Sequence, residues 1–410
     1  MTRPGVAPAR PSGGALRRRL GPTRAAFGGL FVAMGLNMFA IGVTLPVVPR
    51  YVEGPLGEGG LAVGLVTGAF AATGIACRPL AGHLADRRGR RRAVLFGCLL
   101  ASCACGLHFL PFGVGGLVFA RLCLGAGQGT VYTASSAWVV DLSPPDQRGR
   151  LIGLYGLAVW GGLAVGAPIG EWTLRAGGYE AVWALALTAP LIGAAITTRL
   201  PERRPSAASG PVGRRSLFAT EAVVPGLGLS LTTVGYAAIT AFLVLHLDSV
   251  GVAHAATVFA AYGAAIVLTR IVAGGLPDRL GPIPCVLGAA LTQALGLSLL
   301  ALSDGLVSAL AGTLLAGTGV SLIFPSLALL VMRRVGEERR GVAMGTYTAF
   351  FDLGFLFGSP LAGLAASLGG YRAAFALGAC TALGAAALAL ALRRRTQRDP
   401  DRTAAGAPAV

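Results

Sequence analysis

Apolar residues run through this chain in long blocks, and the polar residues gather between them. Each block is roughly 20 residues of Ala, Leu, Val, Gly and Phe, the length a helix needs to cross about 30 Å of hydrocarbon. Twelve blocks predict twelve spans, near residues 26–50, 61–81, 93–112, 116–139, 149–172, 180–199, 218–246, 255–275, 283–302, 306–331, 342–366 and 372–392. In lipid a helix satisfies its own backbone polar groups. A lipid-spanning barrel needs short alternating segments instead, and the sequence has none. The pattern predicts an all-α membrane protein with twelve transmembrane helices.

Composition strengthens this reading. Of 410 residues, 54% are hydrophobic and only 12% are charged, against about 25% charged in a soluble chain. The 62 glycines would argue against helices in water, but in membranes small residues let helix backbones pack closely. All 34 basic residues are arginine, and the formal charge is +17. Such a balance occurs in chains that bind nucleic acid, but the placement points elsewhere. If twelve helices weave back and forth, 28 arginines fall on one side and three (Arg50, Arg175, Arg372) on the other. Arg78, Arg121 and Arg270 fall within spans. The positive-inside rule puts the rich side, with both termini, in the cytoplasm. The expectation is a multi-pass protein of the plasma membrane, a bacterial inner membrane, with lipid and not nucleic acid as its surroundings.

The chain also repeats itself. RPLAGHLADRRG, from Arg78, returns 192 residues later as RIVAGGLPDRLG, from Arg270. At the same offset Gly153 and Tyr155 return as Gly345 and Tyr347, Gly162, Gly166 and Pro168 as Gly354, Gly358 and Pro360, and Gly178-Tyr179 as Gly370-Tyr371. The expected organisation is two pseudo-symmetric six-helix bundles, residues 25–199 and 218–392. A Pro-, Ser- and Arg-rich cytoplasmic linker, 200–217, joins them. The ends, 1–24 and 393–410, read as cytoplasmic tails, the first one disordered. Two like halves in a membrane suggest a transporter with its site between them, near mid-bilayer.

From Gly82 the first phrase carries Gly-x-x-x-Asp-Arg-x-Gly-Arg, as Gly82, Asp86, Arg87, Gly89 and Arg90. The second copy keeps Gly274, Asp278, Arg279 and Gly281. In these motifs, and over nearly all of residues 25–395, the chain resembles the major facilitator superfamily. Asp86 sits at the cytoplasmic mouth of the second span, and the eleventh begins near Gly341 with its positive dipole end facing the same way. The resemblance implies that a carboxylate there ties the halves together. Asp86 is then a gate lock with Arg87 or Arg90 as helpers, and Asp278 and Arg279 act likewise near Gly149.

GGLAVGAPIGEW, in the fifth span, resembles a Gly- and Pro-rich pattern of the drug:proton antiporter branch, with Gly162, Gly166 and Pro168 as gating residues and Gly358 and Pro360 as their repeats. Glu171 stands where that pattern has a glycine. RLCLGAGQG resembles a second antiporter pattern, whose intramembrane arginine is Arg121; such a residue is costly in lipid and usually functional. Proton coupling needs a group that loses and regains a proton. Asp352 lies about twelve residues into the eleventh span, hence roughly 18 Å deep at 1.5 Å per residue. With Arg121 it is the expected coupling site; Glu171 and Glu221 lie nearer helix ends. The first span carries no acid, only Asn37. The family resemblance further implies a cavity lined by the first, fourth, seventh and tenth spans, with Asn37, Met38, Tyr132, Ser136, Thr232, Tyr236 and Phe324 as substrate-binding residues. Apolar and aromatic walls with scattered hydroxyls suit a semi-polar organic molecule.

An enzyme is not expected. GAGQG lies inside a span, and a phosphate-binding loop needs a lysine that the chain lacks. The four histidines and seven cysteines form no metal spacing. The sequence therefore predicts a secondary transporter, working as a monomer without cofactor on the proton gradient, that exports a small amphipathic compound. Import of a small polar nutrient, and a receptor or scaffold without flux, are the alternatives.

Overall fold

The computed structural model describes residues 13–144, 148–201, 218–252, 255–336 and 339–398, and only the backbone of 13–24, 148–150 and 395–398. Most of the linker, half of the N-terminal tail and most of the C-terminal one lie outside the described residues; residues 13–24, expected as part of a disordered tail, form the start of α1. Those residues contain helices and no strand. The spanning helices of the first half are α1 (Gly13–Thr44), α2 (Gly60–Arg88), α3 (Arg90–Gly106) and α4 (Gly113–Leu142). Arg148–Thr198 follows as one helix with a break at Gly178 (φ 71°), which divides it into α5 (148–177) and α6 (179–198). The second half has α7 (Val223–Ser249), α8 (Ala255–Ala273), α9 (Pro282–Ala301) and α10 (Leu306–Met332). Arg340–Arg398 breaks at Gly369 and Gly370 (φ 73° at Gly370) into α11 (340–368) and α12 (371–398). Gly178 and Gly370 are repeat partners, and both adopt a positive φ that residues with a Cβ avoid. Among the described residues ten helices are long and apolar enough to span, and the two breaks, each dividing one of them, are consistent with twelve spans.

The echoed phrase is helical rather than a loop. α2 runs on past the expected end at 81 because nothing in AGHLADRR stops it; Gly89, at φ 97°, does. In the second copy Gly274, Gly275 and Pro277 cut the helix earlier. α8 ends at Ala273, and a short helix, Leu276–Leu280, carries Asp278 and Arg279 before Gly281 turns the chain at φ 87°. At the first span's far end, a separate short helix, Val47–Glu53, follows α1.

Large apolar side chains cover the outside, including Leu80, Phe96, Phe119, Leu268, Val272 and Phe357. A soluble monomer does not expose apolar surface this broadly, but a lipid-facing one does. Within each half, small residues bring helices close. Gly162 and Gly166 of α5 lie against the backbone of α1 at Gly35, Phe39 and Val43, and Gly354 and Gly358 of α11 lie against α7 at Ser230 and Val234. The fifth-span glycines, expected to pack closely at a gate, pack α5 against α1 inside one half. The halves meet along α2–α11 and α5–α8, where Gly60, Gly64 and Gly68 face Ser359 and Gly363, and Gly263 faces Ala164.

This packing makes a prediction. A Cβ at Gly166 would stand 2.6 Å from the Phe39 carbonyl oxygen and 2.8 Å from the Val43 nitrogen, both backbone atoms that cannot turn aside. Gly166→Ala is expected to lose about 1–3 kcal/mol of stability, read as a lower melting temperature of the purified protein. Gly28, which has nothing within 4 Å, is the control: Gly28→Ala should melt like the parent.

Candidate functional site

A cavity of about 260 Å³ lies between the halves. Seven helices of the two bundles shape its apolar wall: Met38 comes from α1, Phe70 from α2, Tyr132 from α4, Trp160 from α5, Tyr236 from α7, Phe324 from α10 and Phe351 from α11. Tyr236 is the hinge of an aromatic cluster. Its ring lies 6.0 Å from Trp160, edge to face, 6.0 Å from Tyr262, stacked, and 5.6 Å from Phe355. Gln128 and Thr232 add polar groups.

Three charged side chains reach this cavity: Arg78 from α2, Arg270 from α8 and Asp352 from α11. Arg78 Nη2 stands 2.7 Å from Asp352 Oδ2, an ion pair that crosses from one half to the other. It is a charge contact: among the described residues Asp352 Oδ2 and Arg78 Nε each find no hydrogen-bond partner. The Arg78 guanidinium also sits 5.8 Å from the centre of the Tyr132 ring, a cation–π distance. Arg270, the repeat of Arg78, has a different surrounding. Its Nη2 donates to the Ser321 carbonyl at 3.4 Å, its Nε has no acceptor, and no carboxylate pairs with it among the described residues. Trp160 stands where the other half has Asp352.

Five of the expected substrate residues, Met38, Tyr132, Thr232, Tyr236 and Phe324, line the cavity. Two do not. Asn37 turns into the first bundle, donating to the Ala33 carbonyl at 3.0 Å and to Cys98 Sγ at 3.2 Å. Ser136 lies beside the Ser135–Tyr155 hydrogen bond, away from the cavity wall. Asp352 joins the cavity but Arg121 does not: Arg121 is buried in the first bundle with Cys105 and His108 as its electrostatic neighbours. Arg78 and Arg270 were missed as site residues. Their signal was present, since each opens one copy of the repeated phrase and lies within a span.

Besides the Arg78–Asp352 contact, several hydrogen bonds among the described residues join the halves toward the arginine-poor end. Arg50 grips Asp248 of α7 with two bonds, Nε–Oδ2 at 2.6 Å and Nη2–Oδ1 at 2.7 Å. Glu171, at the foot of α5, accepts from the Ala256 backbone N–H in the first turn of α8 at 2.6 Å, a carboxylate on a helix N-terminus. Its other oxygen faces Arg50 and Arg175. Tyr371 donates to Glu53, and the Leu61 N–H donates to Ser367 Oγ at 3.1 Å. At the arginine-rich end Arg90 binds Asp86 at 2.7 Å and Asp141 at 3.2 Å, and Arg339 binds Glu221 at 2.8 Å, each pair within one half. Asp86 thus engages its own half, and the carboxylate-on-helix device expected at one end occurs at the other. Gly89 shapes the turn beside Arg90, Arg87 is exposed, and Pro168 and Pro360 sit within α5 and α11.

The profile of the Major Facilitator Superfamily matches residues 30–348 and 226–409. An uncharacterised MFS-type transporter of Salmonella typhimurium is 32% identical over 380 residues, covering 88% of this chain and 95% of that one. The uncharacterised MFS-type transporter YhhS of Escherichia coli K12 is 31% identical over 377 residues, covering 89% and 90%. Among solved structures, a bacterial homologue of the human lysosomal transporter Spinster, inward-facing and occupied, superposes with a TM-score of 0.78 at 17% identity, covering 92% of this chain and 98% of that one. The nucleoside transporter NupG superposes at 0.75 with 14% identity, covering 89% and 98%. The likeness in fold and the family match agree with the paired bundles and the cavity between them: this chain belongs to the Major Facilitator Superfamily and is a multi-pass membrane transporter.

Proposed function

We propose that the chain is a proton-coupled secondary carrier that moves a small amphipathic organic compound across the bacterial inner membrane by alternating access. The observation that carries this reading is the Arg78–Asp352 pair, the one ion pair among the described residues that spans the halves inside the cavity. While Asp352 is ionised, the pair holds α2 to α11. A proton on Asp352 removes the attraction and frees the halves to rock. The seal at the arginine-poor end then belongs to the state open to the cytoplasm, and the lock of Asp86 on the start of α11 belongs to the opposite state.

Direction follows from how substrate and proton interact. Export by exchange, the direction to which the fifth-span pattern points, requires that the two exclude each other, as when a cationic substrate competes for Asp352. Import with the proton is the second reading. The cavity's charge balance favours it, with two arginines against one aspartate.

Inside-out vesicles with an acid interior and a pH dye test the coupling, using a panel of lipophilic cations, aromatic antibiotics and aromatic acids. Substrate-dependent proton movement is expected in the parent and lost in Asp352→Asn. Absence of proton movement with every compound overturns the coupling and leaves the receptor alternative. Asp86→Asn is expected to insert normally and to slow transport by roughly twofold to tenfold, the size of a charge–helix-end interaction; full activity removes the lock. Arg50→Ala should loosen the opposite seal. A spin-label pair at Glu58 and Ser249, in a background without native cysteines, should report a larger population of long distances; an unchanged distribution shows that Arg50 does not latch.

A further inference from the structure

We infer that the carried molecule is an organic anion, bound by its carboxylate or an equivalent monoanionic head between Arg270 and Arg78, and that it loads together with a proton on Asp352. This rests on the proton-coupled carrier reading and names its substrate class.

The argument starts from broken symmetry. Arg78 and Arg270 occupy equivalent places in the two halves, and each reaches toward the other half. Arg78 meets Asp352 there. Arg270 reaches α5, with Nη1 4.0 Å from where a Cβ on Gly156 would stand. The repeat position of Asp352 on that side is Trp160, which also lines the cavity, so no acid stands there to pair with the guanidinium. A cation held among apolar walls without a counter-charge is costly. That cost is relieved when an anion arrives. Arginine presents a rigid fork of donors that matches a carboxylate, and the Nε groups of both Arg270 and Arg78 have no acceptor among the described residues. Trp160, Tyr236 and Phe324 then surround the rest of the molecule, which favours an aromatic or aliphatic body.

The proton follows from the same geometry. The charged and titratable groups at the cavity are Arg78, Arg270, Asp352, Tyr132 and Tyr236. An anion placed between the arginines competes with Asp352 for Arg78 and repels its carboxylate. A proton on Asp352 ends the repulsion and frees Arg78 for the substrate. Linkage is reciprocal, so proton and anion favour each other's binding. They cross together as a neutral load, and an inward proton gradient drives uptake.

The test is equilibrium binding to the full-length protein in phosphatidylcholine nanodiscs, read by tryptophan fluorescence. The probes are 1-naphthoate, indole-3-acetate and 4-phenylbenzoate, each with its primary amide and the corresponding amine. At least one carboxylate is expected to bind about tenfold or more tightly than its amide, the scale of a charge-assisted hydrogen bond. Arg270→Gln should lose that preference, and Arg270→Lys should keep part of it, which separates lost charge from lost fold. A pH dye in weak buffer should show about one proton taken up per anion bound, and Asp352→Asn should bind the anion without uptake. Amides or amines that bind as well as every carboxylate overturn the anion assignment. Anion binding without proton uptake in the parent overturns the shared loading. Phosphatidylglycerol that displaces the probe at nanodisc concentrations assigns the cations to a lipid headgroup and also overturns it. Binding does not depend on flux. A preference for anions without transport defeats the carrier reading alone, and transport without that preference defeats this inference alone.

Discussion

One charged contact between two otherwise apolar bundles governs this structure. Arg78 and Asp352 meet inside the cavity, 2.7 Å apart, one from each half. Neither charge is comfortable alone at that depth, so each stabilises the other, and the contact ties one half to the other. The aromatic cluster around Tyr236 keeps the surroundings apolar, which strengthens that attraction. The rest of the architecture places these two side chains opposite one another.

The bundles are joined by close glycine packing as well as by polar ties. Inside each half, glycine faces bring α1 against α5 and α7 against α11 at backbone distance, a mode of packing that lipid permits because it supplies no hydrophobic drive of its own. Between halves, Gly60, Gly64 and Gly68 of α2 pack as closely on α11, and polar ties are added: the Arg50–Asp248 fork, Glu171 on the first turn of α8, and Tyr371 on Glu53. All three arginines on that end are paired with carboxylates. Such ties suit surfaces that must separate, since water takes over polar partners more readily than it takes over packed apolar ones.

The architecture was legible because membranes leave the chain few choices. Apolar blocks of span length, arginines sorted to one side and a repeat offset of 192 residues describe most of what folds. Asp352 and the aromatic wall were also legible, since a deep acid and side chains at matching repeat positions stand out. Rotation about a helix axis was not. Asn37 and Ser136 lie on the anticipated spans and face away from the cavity, as Arg121 does; one position along a helix turns a side chain by about 100°, and apolar sequence all round gives no amphipathic stripe to fix which face is inner. The same ambiguity hid the role of Gly162 and Gly166, which face α1. Glu171 read as a departure from a glycine pattern, and the structure makes that departure into a cap for α8 in the other half.

The two glycine breaks have a consequence for anyone who wants to reach this protein from outside. At Gly178, and again at Gly369 and Gly370, the chain reverses without a loop, and α1 is separated from the helix Val47–Glu53 by two residues. Among the described residues the arginine-poor face is therefore made of helix ends and short connections, 54–59 and 110–112 among them. It offers a protease or an antibody only short stretches of non-helical backbone. A binding reagent raised against this face must recognise a flat mosaic of turns contributed by both halves, and such a reagent reads the seal itself: it grips the mosaic when the halves are together and loses it when they part.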